Sequence, residues 1–219
     1  FTEDNRFRLA ELNTTVQVLS QNQQLLQNAD LAKLSATEKV QLANLTELYN
    51  EIYTIPFLTE DFCNSVLAEA KQIGFTKNSR EAVAAQIDEC NFNRTKMSYA
   101  GYLITELIAK HMNNIFWQIW RRTINSGQVQ VANYNPNKVT EGCWHHDHTA
   151  DITVVVPLNT GEYAGGGTEF WKKGIVKPLP IGTALFFPSF THMHRGLPVQ
   201  SGDRYLLVFW LEYRTNQFN

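Results

Sequence analysis

The sequence predicts an α+β chain, with helices leading and a closed β structure following them. Three observations carry this. Apolar residues recur at three- and four-residue steps in segments up to Arg122, the period of a helix. After Gly127 the period changes to two. The short runs beyond that point are divided by Gly, Pro and Asn turns, as in a β part that closes as a two-sheet jelly roll.

Residues 1–30 are rich in Gln, Asn and Leu. Leu9, Leu12, Val16, Leu19 and Leu26 alternate three- and four-residue steps, with polar Gln23 in one expected place. This predicts an amphipathic helix packed on its own domain or a short coiled-coil seam, hence self-association through the N-terminal helices. Ser35-Ala36-Thr37-Glu38 is a capping-box pattern, and Leu42, Leu45, Leu48, Tyr49 and Ile52 continue a helical stripe until about Tyr53, which Pro56 ends. Thr59-Glu60-Asp61 starts another helix, with a capping hydroxyl and two acids at its positive end, and Gly74 stops it. Residues 75–98 are polar and poorly patterned, so they read as a loop: a connection, or a lid over substrate. A strong helix is expected from about Tyr99 to Arg122, with Leu103, Leu107, Ile108, Ile115, Ile119 and Trp120 on its apolar face and His111 packed or solvent-exposed. Strands are expected at 128–134, 151–158, 168–171, 183–187 and 204–213. The chain divides into an N-terminal helical region, 1–54, and a main domain, 55–219.

Composition narrows the function. At 219 residues, 43% of them hydrophobic and including 13 Phe and 5 Trp, the chain can fill a sizeable core. A net charge of −2 leaves no basic footprint for nucleic acid. No apolar run approaches the ~20 residues of a membrane span. Cys63, Cys90 and Cys143 lack metal-type pairing and read as reduced thiols, Cys143 merely packing. The compartment is open: the cytoplasm is slightly favoured, and the secretory pathway enters if the Asn-x-Thr sequons at Asn13, Asn44 and Asn93 are used.

Five of the six histidines lie between 145 and 194. In a strand side chains alternate, so His145 and Asp147 point one way while His146 and His148 point the other. Two imidazoles and one carboxylate can occupy one face of a metal and leave other positions open, the donor set of non-haem Fe(II) oxygenases. Alternation does not choose between His192 and His194 as the second imidazole. Zinc in a cupin-like barrel is the alternative chemistry.

A resemblance makes the choice. Tyr134-Asn135-Pro136, His145-His146-Asp147, the run Gly165-Gly166-Gly167-Thr168-Glu169-Phe170, Thr191-His192-Met193-His194 and Gly202-Asp203-Arg204-Tyr205 together resemble the 2-oxoglutarate and Fe(II)-dependent dioxygenases. The likeness runs from about Ile55 to Glu212 and is greatest to the procollagen lysyl hydroxylase and prolyl hydroxylase branch. It implies a double-stranded β-helix (jelly-roll) core. It implies Fe(II) on His145, Asp147 and His194, because the family's distal ligand is the His ten residues before the basic residue that grips 2-oxoglutarate, here Arg204. Tyr134 is similar to a cosubstrate-contacting tyrosine, and Thr153 is a candidate to assist the cosubstrate carboxylate or to pack. His146, His148 and Trp171 are candidates for the substrate edge, although packing is the simpler account of Trp144 and Trp171. Arg204 argues against zinc hydrolysis, which has no need of a carboxylate clamp. The implied reaction hydroxylates a lysyl or prolyl side chain of a peptide or protein while 2-oxoglutarate becomes succinate, and it admits ascorbate. A hydroxylase of a small molecule or free amino acid, and a non-catalytic jelly-roll binding module, are the alternatives.

Overall fold

An eight-stranded antiparallel sheet forms the frame of the computed structural model, which describes residues 44–78, 87–92 and 102–213. Its strands lie in the order β1 (Thr46–Tyr49), β2 (Ile52–Pro56), β10 (Thr183–Pro188), β6 (Ile152–Pro157), β13 (Arg204–Tyr213), β5 (Ile124–Tyr134), β4 (Asp88–Asn91) and β3 (Thr76–Lys77). A three-stranded sheet, β11 (His194–Gly196), β8 (Thr168–Phe170) and β9 (Gly174–Val176), packs against it through Phe170 and Val176, which meet Ile52, Leu185 and Phe187. A ribbon of β12 (Val199–Ser201) and β7 (Ala164–Gly165) completes the two-layered jelly roll.

The near-continuous apolar run Tyr205-Leu206-Leu207-Val208-Phe209 follows from the central place of β13, which is covered on both faces. Tyr205, Leu207, Phe209 and Leu211 join one large core with Val129 and Val131 of β5 and Val154 and Val156 of β6. Helix α1 (Glu60–Ile73) and helix α2 (Lys110–Trp120) add Phe62, Val66, Met112, Ile115 and Phe116 to that core. The residues between, Arg204, Leu206, Val208 and Trp210, face the opposite way and line a chamber. One strand therefore supplies both the core and the wall of the site.

The helices end where local chemistry requires. Thr59 accepts a hydrogen bond from the Phe62 amide, Glu60 and Asp61 sit in the first turn of α1, and Gly74 closes it at φ 95°. The predicted helix near 99–122 is present as a π-helical stretch, Leu103–Ala109, running into α2. Leu103, Leu107, Ile108 and Ile115 are buried as their spacing requires. Asn113 then fastens α2 to β5: its Nδ2 donates to the Ile124 carbonyl at 3.0 Å and its Oδ1 accepts from the Ile124 amide at 2.8 Å.

Two expectations are corrected. The stripe through Leu45, Leu48, Tyr49 and Ile52 is not a helix but the β1–β2 hairpin, turned at Glu51 with φ 59°. Ile52, Tyr53, Thr54 and Ile55 are all buried, because β2 pairs with β10 and is covered on both faces. Tertiary pairing of a β-branched run has overridden a coincidental helical spacing. N-terminal helices are therefore absent from 46–56, while the seam Leu9–Leu26 and the capping box at Ser35 lie outside the described residues. The polar segment expected as a loop also contains β3 and β4, which extend the sheet beyond β5 and bury Glu89 and Cys90. The remaining strands β7, β9, β11 and β12 are two or three residues long, too short to show a period.

Candidate active site

The segment after Gly142 reaches the small sheet through one pair of backbone bonds. His145 donates its amide to the His194 carbonyl at 3.0 Å, and His194 donates back at 2.9 Å. Gly142 makes a parallel contact, its amide 3.1 Å from the Gly196 carbonyl, and a Cβ at Gly142 would lie 3.1 Å from the Gly196 nitrogen. Small residues on both sides thus permit the close approach. The two imidazole rings consequently stand 4.4 Å apart between centroids.

Asp147 joins them by a turn rather than by strand alternation. Residues 145–148 make an isolated bridge followed by tight backbone contacts, His148 amide to His146 carbonyl at 3.1 Å and Ala150 amide to Asp147 carbonyl at 3.2 Å. Asp147 Oδ1 lies 3.6 Å from His145 Nε2, and Oδ2 lies 3.6 Å from His194 Nε2. All three ligand atoms fall within 4.8 Å of one another. Bonds of about 2.0–2.2 Å to one ion bridge a 3.6 Å separation, so the group can hold a metal.

Each imidazole is oriented from behind. His145 Nδ1 lies 2.8 Å from the Cys143 carbonyl, and His194 Nδ1 lies 2.9 Å from the His192 carbonyl. Protons on Nδ1 leave both Nε2 lone pairs directed at Asp147 and a shared ion. Burial depresses the His194 pKa to about 4 against the opposing pull of Asp147, so its ring is neutral at physiological pH, as a ligand must be. The Thr153 hydroxyl donates to Asp147 Oδ2 at 2.5 Å, and Ser189 Oγ lies 2.8 Å from Thr153 Oγ1. With its proton spent on the carboxylate, Thr153 accepts from Ser189.

The three residues line a chamber of about 150 Å³ together with Tyr134, Thr153 and Arg204. Arg204 is 4% exposed, and its Nε and Nη1 have no hydrogen-bond partner. No carboxylate of the described residues pairs with it; the guanidinium lies 5.5 Å from the Tyr134 ring centre. Burial pushes the Tyr134 phenol pKa up, although the Arg204 charge opposes it. A buried cation without a counter-charge is costly, so these walls fit a ligand that brings an anionic end to Arg204.

His194, not His192, meets Asp147. His192 is buried elsewhere, its Nε2 2.7 Å from Lys173 Nζ and 3.1 Å from the Asn50 carbonyl. His146, His148 and Trp171 lie outside the chamber. His146 and His148 stand 5.6 Å apart between ring centres, His148 touches Phe190, and Trp171 is 50% exposed with its ring edge-on to Trp144 at 5.2 Å. Trp171 is thus not the packed residue expected. Ser189 and Gln130 were missed by sequence reasoning. Gln130 is buried in the chamber wall with Oε1 unpaired, and its parity with Ala132 and Tyr134 on β5 is the signal that finds it. Ser189 offered no signal.

A jelly roll with two imidazoles and one carboxylate at the mouth of a chamber that also holds a buried guanidinium is the architecture of a non-haem Fe(II) site. Residues 129–212 match the family described as the 2OG-Fe(II) oxygenase superfamily. A multifunctional procollagen lysine hydroxylase and glycosyltransferase of Caenorhabditis elegans is 23% identical over 173 residues, 74% of this chain and 24% of the relative. The chain spans about a quarter of the length of the curated relatives it matches. Among solved structures, a viral collagen prolyl hydroxylase from Paramecium Bursaria Chlorella virus-1, in complex with 2OG, superimposes with a TM-score of 0.54 at 21% identity, covering 76% of this chain and 97% of that one. A Trichoplax adhaerens prolyl hydroxylase in complex with a hypoxia inducible factor peptide fragment gives 0.57 at 16% identity, covering 74% and 84%. These two likenesses establish the fold.

Proposed function

We propose that the protein is an Fe(II)- and 2-oxoglutarate-dependent hydroxylase of a lysyl or prolyl side chain in a peptide or protein. The observation that carries this reading is the Arg204 guanidinium, buried with Nε and Nη1 unpaired in the chamber that His145, Asp147 and His194 border. His145, Asp147 and His194 hold the iron, and Arg204 and Tyr134 receive the distal carboxylate of 2-oxoglutarate, where the planar guanidinium can make two charge-assisted hydrogen bonds. Bound there, Fe(II) would supply oxygen-activating chemistry in which O2 is consumed with 2-oxoglutarate, one oxygen atom entering succinate as CO2 is lost and the other entering the substrate as a hydroxyl. The chain's own residues fix the ligand geometry: Thr153 holds Asp147, and the His192 carbonyl holds the His194 ring. Leu206, Val208 and Val155 keep the chamber apolar between its two polar ends.

The names of the relatives, procollagen lysine hydroxylases and a prolyl hydroxylase in complex with a peptide, support a side chain of a peptide as substrate. Incubation with Fe(II), 2-oxoglutarate and lysyl- or prolyl-containing peptides is expected to yield succinate and a peptide gain of about sixteen mass units, both lost in Asp147→Ala. A mass gain on a free amino acid instead would move the assignment to a small-molecule hydroxylase. Absence of iron-dependent turnover with every peptide would count against the reading as a whole.

A further inference from the structure

One polar group beside Arg204 has no role in the site as described. Tyr163 lies in the turn between β6 and β7, and its hydroxyl is fully buried without a hydrogen-bond partner. A buried donor left unmade costs on the order of 1–3 kcal/mol, so an orphan phenol next to an orphan guanidinium needs a reason.

The turn is registered on Arg204 by the Asn159 side chain. Asn159 Nδ2 donates to the Asp203 carbonyl at 2.7 Å, and its Oδ1 accepts the Tyr205 amide at 2.9 Å, bracketing Arg204 on both sides. Gly166, at φ 74°, separates the two groups: a Cβ there would lie 3.2 Å from Tyr163 Cε2, 3.1 Å from Arg204 Cδ and 3.3 Å from Arg204 Nε. Phenol and guanidinium therefore flank one small volume that only glycine leaves open. Both line an annex of about 20 Å³ that shares Arg204, Thr168, Val155 and Leu206 with the main chamber. Such a space holds a group the size of a water molecule or one carboxylate oxygen. On β6 the neighbouring wall residues Val155 and Pro157 are apolar, and the other donor-bearing side chains of the lining belong to Thr168 and Lys177.

We propose that Tyr163 is a further binding residue, beside Arg204 and Tyr134, for the distal carboxylate of the cosubstrate, donating its hydroxyl to the carboxylate that Arg204 pairs with. This rests on the reading of the chamber as a 2-oxoglutarate site. Tyr163→Phe removes one oxygen and keeps the ring against Gly166.

The test is anaerobic calorimetric titration of the full chain loaded with Mn(II), a redox-silent stand-in for iron, using 2-oxoglutarate and 2-oxobutyrate, which share the 2-oxo acid end but differ in the distal carboxylate. Tyr163→Phe is expected to bind 2-oxoglutarate about tenfold to a hundredfold more weakly, the range for a hydrogen bond to a charged group, and 2-oxobutyrate unchanged. Equal 2-oxoglutarate affinity in variant and wild type overturns the role of Tyr163 and leaves the cosubstrate site standing. An equal loss for both ligands also overturns it, since the effect is then structural. If wild type itself binds no 2-oxoglutarate, the cosubstrate reading fails and takes this proposal with it.

Discussion

Thr153 donates its hydroxyl to Asp147 Oδ2 at 2.5 Å, so a buried strand residue fixes the carboxylate that faces both imidazoles. Partners behind a ligand are worth about ten- to a hundredfold in metal affinity. Thr153→Val keeps the shape and removes the donor. Its Mn(II) dissociation constant, measured by competition with a chelating dye, is expected to rise by that factor, and an unchanged constant would leave Thr153 a packing residue only.

Proton linkage gives the second prediction. Burial holds His194 well below its ordinary 6.5, at about 4, so the folded chain takes up that proton less readily than the unfolded chain. Its contribution to stability is present above pH 6.5 and lost as pH falls towards 4. His192 is depressed in the same direction by burial, so the comparison is with His194→Gln rather than wild type alone. In metal-free protein the urea midpoint should fall less steeply between pH 6.5 and 4 in His194→Gln. Parallel profiles would refute the assignment.

Thiol reactivity separates the three cysteines. Burial pushes Cys63 up to about 12 and Cys90 up to about 11, whereas Cys143 is exposed beside the chamber. Iodoacetamide at pH 8 should label Cys143 in the native protein within minutes, and Cys63 and Cys90 only after unfolding, as read by peptide mass spectrometry. Rapid native labelling of Cys63 would mean that α1 does not seal the core.

Phe186 is the hub of the core, with Tyr53 at 5.5 Å, Phe116 at 5.7 Å and Trp120 at 6.0 Å between ring centres. Phe186→Ala is expected to cost about 3–5 kcal/mol in urea unfolding. Trp171→Ala, at a half-exposed position, should change stability by no more than about 0.5 kcal/mol. A reversal of that order would contradict the packing described.

The contrast between those two aromatics marks what the sequence can express. Strand β13 was legible end to end because Arg204–Tyr213 is long and flanked by turn residues. His145 and Asp147 stand out as chemically distinctive neighbours, whereas the choice of His194 over His192, and with it Arg204, came from the family resemblance and not from spacing. The hairpin at Thr46–Pro56 was not legible, since its apolar spacing satisfies a helix locally and only pairing with β10 decides otherwise. Strand β11 was invisible at three residues, yet it carries His194. Asp147 reaches its place by a turn and not by strand alternation, so His145, Asp147 and His194 meet through a geometry that a period of two does not encode.

The central claim is that one ion and one 2-oxo dicarboxylate share the chamber, and anaerobic addition of 2-oxoglutarate to the Fe(II)-loaded protein tests it most directly. The account predicts a weak visible charge-transfer band that saturates near one equivalent of 2-oxoglutarate, is absent in Asp147→Ala, and needs about a hundredfold more ligand in Arg204→Leu. No band in the wild-type protein, or a titration that Arg204→Leu leaves unmoved, would contradict it.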